Sequence, residues 1–533
     1  MRLTGTGHAG LRIDTSAGSI LCDPWVNPAF FASWFPFPDN VDLDWARLGD
    51  VEYLYVSHLH HDHFDPEHLR RWVSPEATVL LPDYPTTDLE DALREVGFTH
   101  FCRTKNNDPV DLGGGLRIMV QALTSPTDGP IGDSSLWVEH DGVRLLDQND
   151  ARPADLSVFA ELGDVHAHLL QFSGAIWYPM VYDMPPAKKA SLGRQKRSRQ
   201  VERTIRYIDD LEASWVFPIA GPPAFLDDDL WELNDLATDP ANIFLDQRAF
   251  LEQYHRRGHA NGLILLPGSV ADVSPDRCTV THPVPDVEQF FEDKARHLAA
   301  CRDRRRPEID AQRASWHHPG IDVFEEMKQR VEPLLAASVE LACRIGHVLF
   351  EVEDDGDGSV ERIVIDGPAR EVRHHRGEDT AHRFTVKRAL VEHLLHTGEV
   401  DWVNSLFLSC RFSASRQGPY NEAVFVFFKC LSAERLRHAE AWYADRQIDT
   451  EDIFLDDWLV QRHCPHQSAD LSRFAAIDGN VLTCQMHGWQ FDLDTGRCLT
   501  SDGHQIRSRR HDMDAEPPGS GATGDGHGPR PQA

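Results

Sequence analysis

The sequence predicts a multidomain protein with an α/β domain at the N-terminus, an α+β domain in the middle and an all-β domain near the C-terminus. Three observations predict it. The chain has 533 residues, too many for one core when domains commonly run about 100 to 200 residues. Short apolar runs alternate with helical patterns through the first half. Strand-like text returns late in the chain, around two short loops of cysteine and histidine. The expected limits are residues 1–285, 286–437 and 438–510, with 511–533 as a tail.

In the first domain the apolar runs Gly18 to Leu21, Val51 to Val56, Thr78 to Leu81, Val143 to Leu146 and Ala167 to Leu170 each end at turn or polar residues and read as strands. Helical patterns fall at Thr87 to Val96 and Gln200 to Ala213, giving the alternation of an α/β fold. Residues 286 to 345 are charged and helix-prone. Val348 to Glu353 and Arg362 to Asp366 flank an Asp- and Gly-rich turn, the signal of a hairpin. The Phe- and Val-rich text from Ser405 to Leu431 favours buried strands, and strands are expected again from 438. The tail after Arg510 is dominated by Gly, Pro, Asp, Ser and Arg and is expected to be disordered, because it cannot bury enough apolar surface to offset its ordering entropy.

Hydrophobic residues make up 41% and charged residues 26%, ordinary values for a globular chain. The net charge of −32 disfavours nucleic acid and anionic lipid as partners. There is no signal-peptide pattern and no apolar run long enough to span a bilayer, so the cytoplasm is the expected compartment. The ten cysteines are expected as reduced thiols or ligands. Cys22, Cys102, Cys278, Cys301, Cys343, Cys410 and Cys430 are expected to pack in the core.

Two loops carry the first chemistry. Cys464-Pro465-His466 and Cys484-Gln485-Met486-His487 read C-x-H and C-x2-H, so each loop offers one thiolate and one imidazole. Zinc also accepts two cysteines and two histidines, but its fingers pair cysteine with cysteine and histidine with histidine. The alternating order resembles the Rieske [2Fe–2S] motif, in which two cysteines hold one iron and two histidines the other. The resemblance implies Cys464, His466, Cys484 and His487 as ligands and single-electron transfer as the task.

The second chemistry follows the run Val51 to Val56, where His58-Leu59-His60-His61-Asp62-His63 ends a strand. Imidazoles and a carboxylate at a strand end can converge on a divalent metal. The motif resembles the metallo-β-lactamase family, in the branch that includes ascorbate-phosphate lactonases, as do Gly7-His8-Ala9-Gly10 and Asp23-Pro24-Trp25. That resemblance implies an αββα sandwich binding one or two metal ions through His58, His60, Asp62, His63 and a bridging aspartate. By position the bridge is Asp150, with Asp147 the alternative. The family's histidine before that strand is missing from Ser125 to Asp133, and its final histidine is missing near Pro218 to Pro222. Asp128 or Asp133 could stand in for the former, which would suit iron over zinc. His166 and His168 read as structural.

Joined to an electron-transfer cluster, such a site resembles the CMP-N-acetylneuraminate hydroxylase family, although the order of domains is reversed. The likeness rests on Asn149 to Pro153, Phe172 to Ala175 with Pro179-Met180, and Pro218 to Gly221. It implies a monooxygenase that takes electrons from a soluble donor such as a ferredoxin or reductase and acts on a small molecule. The D-x2-H-x4-H iron motif of other Rieske oxygenases is not completed, since Lys387 stands where the second histidine would follow Asp379 and His382. A metallohydrolase with a redox-sensing cluster and a non-catalytic electron carrier remain the alternatives. Between Ala187 and Arg206 lie Lys188, Lys189, Arg194, Lys196, Arg197, Arg199, Arg203 and Arg206 against Glu202 alone. This run is either a solvated helix face or a site for an anionic substrate or an acidic donor.

Overall fold

The computed structural model describes residues 1–124, 132–237, 239–444, 451–466, 469–486, 488–501 and 504–510. The segment expected to be a disordered tail, 511–533, lies outside them, as do Asp128 and His487.

Two sheets face one another in the first body. The eight-stranded sheet runs Cys278–Thr281, Val270–Val273, Arg2–Gly7, Gly10–Thr15, Gly18–Cys22, Tyr53–Tyr55, Thr78–Leu81 and Phe101–Arg103. The six-stranded sheet runs Trp215–Ile219, Ala167–Gln171, Val143–Asn149, Ser134–His140, Leu116–Ala122 and Val110–Gly113. Alternation along each strand divides its side chains between two cores. Ile20, Tyr55, Leu145 and Leu169 fill the space between the sheets, whereas their neighbours Leu21, Leu54, Leu146 and Leu170 face outward. Outer faces must also be buried, and helices cover them. Pro66–Trp72 and Asp88–Val96 bring Leu69, Leu89 and Leu93 to one sheet. Pro186–Leu211 and Gln247–Arg256 bring Val201, Ile205 and Phe250 to the other. The body is therefore an αββα sandwich. The helix foreseen from Gln200 begins earlier, at Pro186, where a proline is tolerated because the first-turn N–H needs no helical partner.

The middle body packs helices against a five-stranded sheet ordered Glu371–His374, Val360–Asp366, His347–Glu353, His382–Lys387 and Phe412–Arg416. The expected hairpin is present as His347–Glu353 paired antiparallel with Val360–Asp366. The Phe-rich stretch departs from expectation in part, since Phe412–Arg416 is a strand but the run after it is not. Glu422–Lys429 is a helix, capped by the Asn421 side chain on the Ala423 N–H, and residues 422 to 428 are all buried. A helix buried on every side has no polar face, so its text looks like that of a buried strand. The helix Ala433–Ala444 likewise replaces the strand expected from 438. Cys343 is exposed, against its expected place in the core, while the other six of that group are buried or partly buried, and no disulfide joins cysteines among the described residues.

The last body holds two three-stranded sheets, Asp452–Leu455, Trp458–Gln461 and Ser508–Arg510, and Ala475–Asp478, Val481–Cys484 and Trp489–Asp492. The bodies do not hang on linkers. Cys464, Phe474, Met486 and Trp489 share one apolar core with Val201, Ile205 and Tyr207 of the long helix Pro186–Leu211. Trp25, Phe30, Trp34 and Phe225 of the sandwich share another with Phe350, Phe407 and Phe428 of the middle body.

Candidate functional site

Strand Tyr53–Tyr55 delivers His58 to the open end of the sandwich, and the chain then turns tightly, with the His63 N–H donating to the His60 carbonyl at 2.9 Å. That turn points His58, His60, Asp62 and His63 toward a common centre, while His61 is exposed and stacks on Phe30. Asp150 comes from the end of strand Val143–Asn149 and Asp133 from the residue before strand Ser134–His140.

Three sets of donor atoms lie within 4.8 Å of one another: His58 with His60 and Asp133, His8 with Asp62 and His63, and His58 with His63 and Asp150. Asp150 thus sits between two sets that each hold two imidazoles and one carboxylate. Asp133 lies 3.4 Å from the His58 Nε2, and Asp150 3.6 Å from the His63 Nε2. Asp147 is fully buried behind the site and joins none of the sets. Burial, then the neighbouring Asp23, pushes its carboxyl well up.

His8 was not foreseen as a ligand. It occupies the turn between strands Arg2–Gly7 and Gly10–Thr15 at a φ of 54°, and its Nε2 lies 2.9 Å from Asp62. The Ala220 N–H donates to the His8 carbonyl at 3.1 Å, so the loop where a final histidine was missed runs directly against it. A single histidine in a hairpin turn carries no spacing signal.

Behind the donors, the Asp23 carboxylate accepts from His63 Nδ1 at 2.8 Å and from the Ser57 hydroxyl at 2.7 Å, and Ser57 Oγ lies 2.8 Å from His58 Nδ1. Such partners fix ring orientation and leave each Nε2 aimed at the centre. Burial alone lowers an imidazole's pKa, and it takes His58 to about 3. At His63 the carboxylates of Asp23, Asp62 and Asp150 outweigh burial and the pKa is raised. His58 Nε2, His63 Nε2, Asp62 Oδ1 and Asp150 Oδ1 are buried with no hydrogen-bond partner. Leaving such atoms unmatched is costly, and a metal ion is the partner their chemistry fits. His166 and His168 are structural: His166 Nδ1 accepts from the Arg144 N–H and His168 Nε2 pairs with Gln148 at 2.8 Å. His382 lies buried in the sheet of the middle body and joins no metal-competent set among the described residues.

At the other end, Cys464 and Cys484 are both buried. Burial, then the adjacent Cys484 thiol, pushes the Cys464 thiol well up. Two thiols held together in an apolar core fit the cysteine half of a [2Fe–2S] ligand set. His466 stacks on Trp489 with ring centroids 4.0 Å apart, and its Nε2 lies 3.2 Å from a carboxylate oxygen of Glu422. His487, the fourth expected ligand, is outside the described residues. Glu422 also meets His504 at 3.2 Å. Burial would raise its pKa, but His466 and His504 outweigh burial and bring it to about 2. Nothing in the text of a Phe-rich run marked Glu422 as a partner of the cluster.

A single cavity of about 390 Å³ joins the two ends. His60, Asp62, Asp133 and Asp150 line it, and so do His466, Gln485, Met486 and Trp489. The basic run does not form one solvated face. Arg194 is exposed and Arg197 pairs with Asp235 at 3.0 Å, but Arg199 and Arg203 donate to the Gly488 and Met486 carbonyls of the second cluster loop.

Residues 457–507 match the Rieske [2Fe-2S] domain family, and residues 323–445 match the family described as Rv3818-like, SCP2-like domain. A Rieske 2Fe-2S iron-sulfur protein of Mycolicibacterium smegmatis is 48% identical over 518 residues, covering 96% of this chain and 100% of its own. One of Mycobacterium tuberculosis is 48% identical over 520 residues, again covering 96% of this chain and 100% of its own. Among solved structures, a metallo hydrolase of the archaeon Ignicoccus hospitalis aligns with a TM-score of 0.35 at 18% identity, over 53% of this chain and 98% of its own. The relatives carry the likeness to Rieske proteins over 96% of the chain; they do not extend it to CMP-N-acetylneuraminate hydroxylases in particular.

Proposed function

The chain belongs to the family of Rieske iron–sulfur proteins represented by those two mycobacterial relatives, and from that premise we propose that it is an iron-dependent oxidoreductase, a monooxygenase acting on a small molecule. One observation carries the reading. The cavity that reaches the metal-directed residues of the sandwich also reaches the cluster loop at His466. A purely hydrolytic site gains nothing from an electron-transfer ligand in its wall.

When bound, the cluster supplies single electrons and the N-terminal metal supplies redox chemistry toward dioxygen. Overall, a C–H bond, dioxygen, two electrons and two protons give an alcohol and water; the electrons come from a soluble donor of the ferredoxin or reductase class. Cys464, His466, Cys484 and His487 would hold the cluster. His58, His60 and Asp133 would hold iron, with His8, Asp62 and His63 as a second set and Asp150 between them. Two histidines and one carboxylate are the donor set of non-haem iron oxygenases, and this supports iron over zinc. Glu422 orients His466 from the first turn of the helix Glu422–Lys429, whose last residue lines the cavity with His60. Eight residues of helix span only about 10 Å. Aromatic walls at Trp177, Tyr178 and Phe425 shape the space for substrate and exclude water.

The hydrolase reading draws on the two donor sets on either side of Asp150, because paired metals also activate water. Metal analysis of anaerobically purified protein separates the two. A [2Fe–2S] cluster contains iron and acid-labile sulfide in equal amounts, so the oxygenase reading expects iron in excess of sulfide. Iron equal to sulfide, with zinc filling the second site, would contradict it.

A further inference from the structure

The cavity has a wall that neither metal site uses. Arg152, Lys196, Arg199 and Arg203 line it between the sandwich and the cluster loop. Arg203 is 7% exposed, yet its recorded partner is a carbonyl, that of Met486 at 3.1 Å. Arg152 donates to the Gln171 side chain at 2.9 Å, and its Nε is buried with no partner. None of the four forms a salt bridge among the described residues, in a chain with a net charge of −32 and acid to spare. Burying cations without counter-ions is costly, and it shows at Lys196, where burial and then Arg152 bring the pKa to about 7.

The carboxylates on the same cavity, Asp62, Asp133 and Asp150, form no salt bridge with the four among the described residues. They pair instead with imidazoles, Asp62 with His8 at 2.9 Å, Asp133 with His58 at 3.4 Å and Asp150 with His63 at 3.6 Å. An anionic ligand would give this wall the partner it lacks.

We propose that Arg152, Lys196, Arg199 and Arg203 form an oxyanion subsite that holds a phosphoryl-type group of the substrate, with the substrate's apolar body against Trp177, Tyr178 and Phe425. Guanidinium groups meet such oxygens in paired hydrogen bonds and the ammonium adds a point charge. The subsite rests on the proposed function only in placing a substrate in this cavity.

The test is calorimetric titration of the metal-loaded, oxidised holoprotein with naphthyl phosphate and with neutral naphthol, at low and high salt. The subsite predicts that the phosphate binds more tightly than naphthol and that the difference shrinks as salt rises. Lys196→Met and Arg152→Gln should each weaken phosphate binding about tenfold, the loss expected for a charge-assisted hydrogen bond, and leave naphthol unchanged. Arg194→Gln, at an exposed position of the same helix, should change neither. Variants are compared only with their Rieske absorbance intact. Equal binding of the two probes, or wild-type phosphate affinity in both cavity variants, would overturn the subsite without touching the oxygenase reading. Release of naphthol from the bound phosphate would count against the oxygenase reading and leave the subsite standing.

Discussion

At the scale of single residues, the candidate centre gathers His58, His60, Asp62 and His63 from one turn and His8, Asp133 and Asp150 from elsewhere in the fold. His58, His60, Asp62 and His63 follow one strand within six residues and a tight turn aims them, so their spacing carried the message. His8, Asp133 and Glu422 reach their places by tertiary folding, and no local pattern could announce them. Asp133 was one of two candidates, and its place beside His58 makes it the choice within the described residues. Two substitutions test these roles. Asp23→Asn removes the carboxylate that accepts from His63 Nδ1, and metal affinity should fall about 10- to 100-fold, measured by competition with a chelator while the Rieske absorbance stays constant. Glu422→Gln removes a negative charge 3.2 Å from His466. That charge favours the more positive, oxidised cluster, so the substitution should raise the reduction potential in a spectroscopic titration; a fall would show that Glu422 is not the electrostatic partner.

Among the elements, the basic helix and the Phe-rich helix taught opposite lessons. The helix Pro186–Leu211 was foreseen in part because its apolar face has the 3.6-residue period, but its charges left a solvated face and an anion site both open, and neither reading foretold that Arg199 and Arg203 dock the cluster loop. The helix Glu422–Lys429 was read as strand because burial on all sides erases periodicity. Gly193 shows how tightly the first of these is seated: a Cβ there would lie 1.9 Å from the Ala241 carbonyl oxygen. Gly193→Ala should therefore destabilise the protein by about 1–3 kcal/mol, as overpacking does, despite its better helix propensity; urea unfolding would show it. Asp227 ties three elements together, accepting from Arg313 and from Arg411 at 2.6 Å each. Burial would raise its pKa, but Arg411 and Arg313 outweigh burial and hold it below 3.8. A depressed carboxylate stabilises the fold above its unfolded pKa and loses that contribution as pH falls through the folded value. Stability should thus drop below about pH 4, and Asp227→Asn should flatten that part of the pH profile while lowering stability at neutral pH.

For the whole molecule, the sequence raised the expectation of three domains and of two metal-directed motifs, because each motif is local. It could not announce the cavity, whose walls come from residues as distant as Trp34 and Thr500. That enclosure is what turns two motifs into one proposed machine, and no helix among the described residues is long and apolar enough to cross a membrane. The central claim is that electrons held on the cluster leave through the N-terminal site. The direct measurement is the rate at which dithionite-reduced protein is reoxidised by dioxygen, followed at the Rieske absorbance by stopped flow. The account predicts fast reoxidation in the wild type and a rate lowered at least about 100-fold, roughly 2.7 kcal/mol of barrier, in a His58→Ala, His60→Ala double variant whose cluster is spectroscopically intact. Equal rates in the two proteins would contradict it.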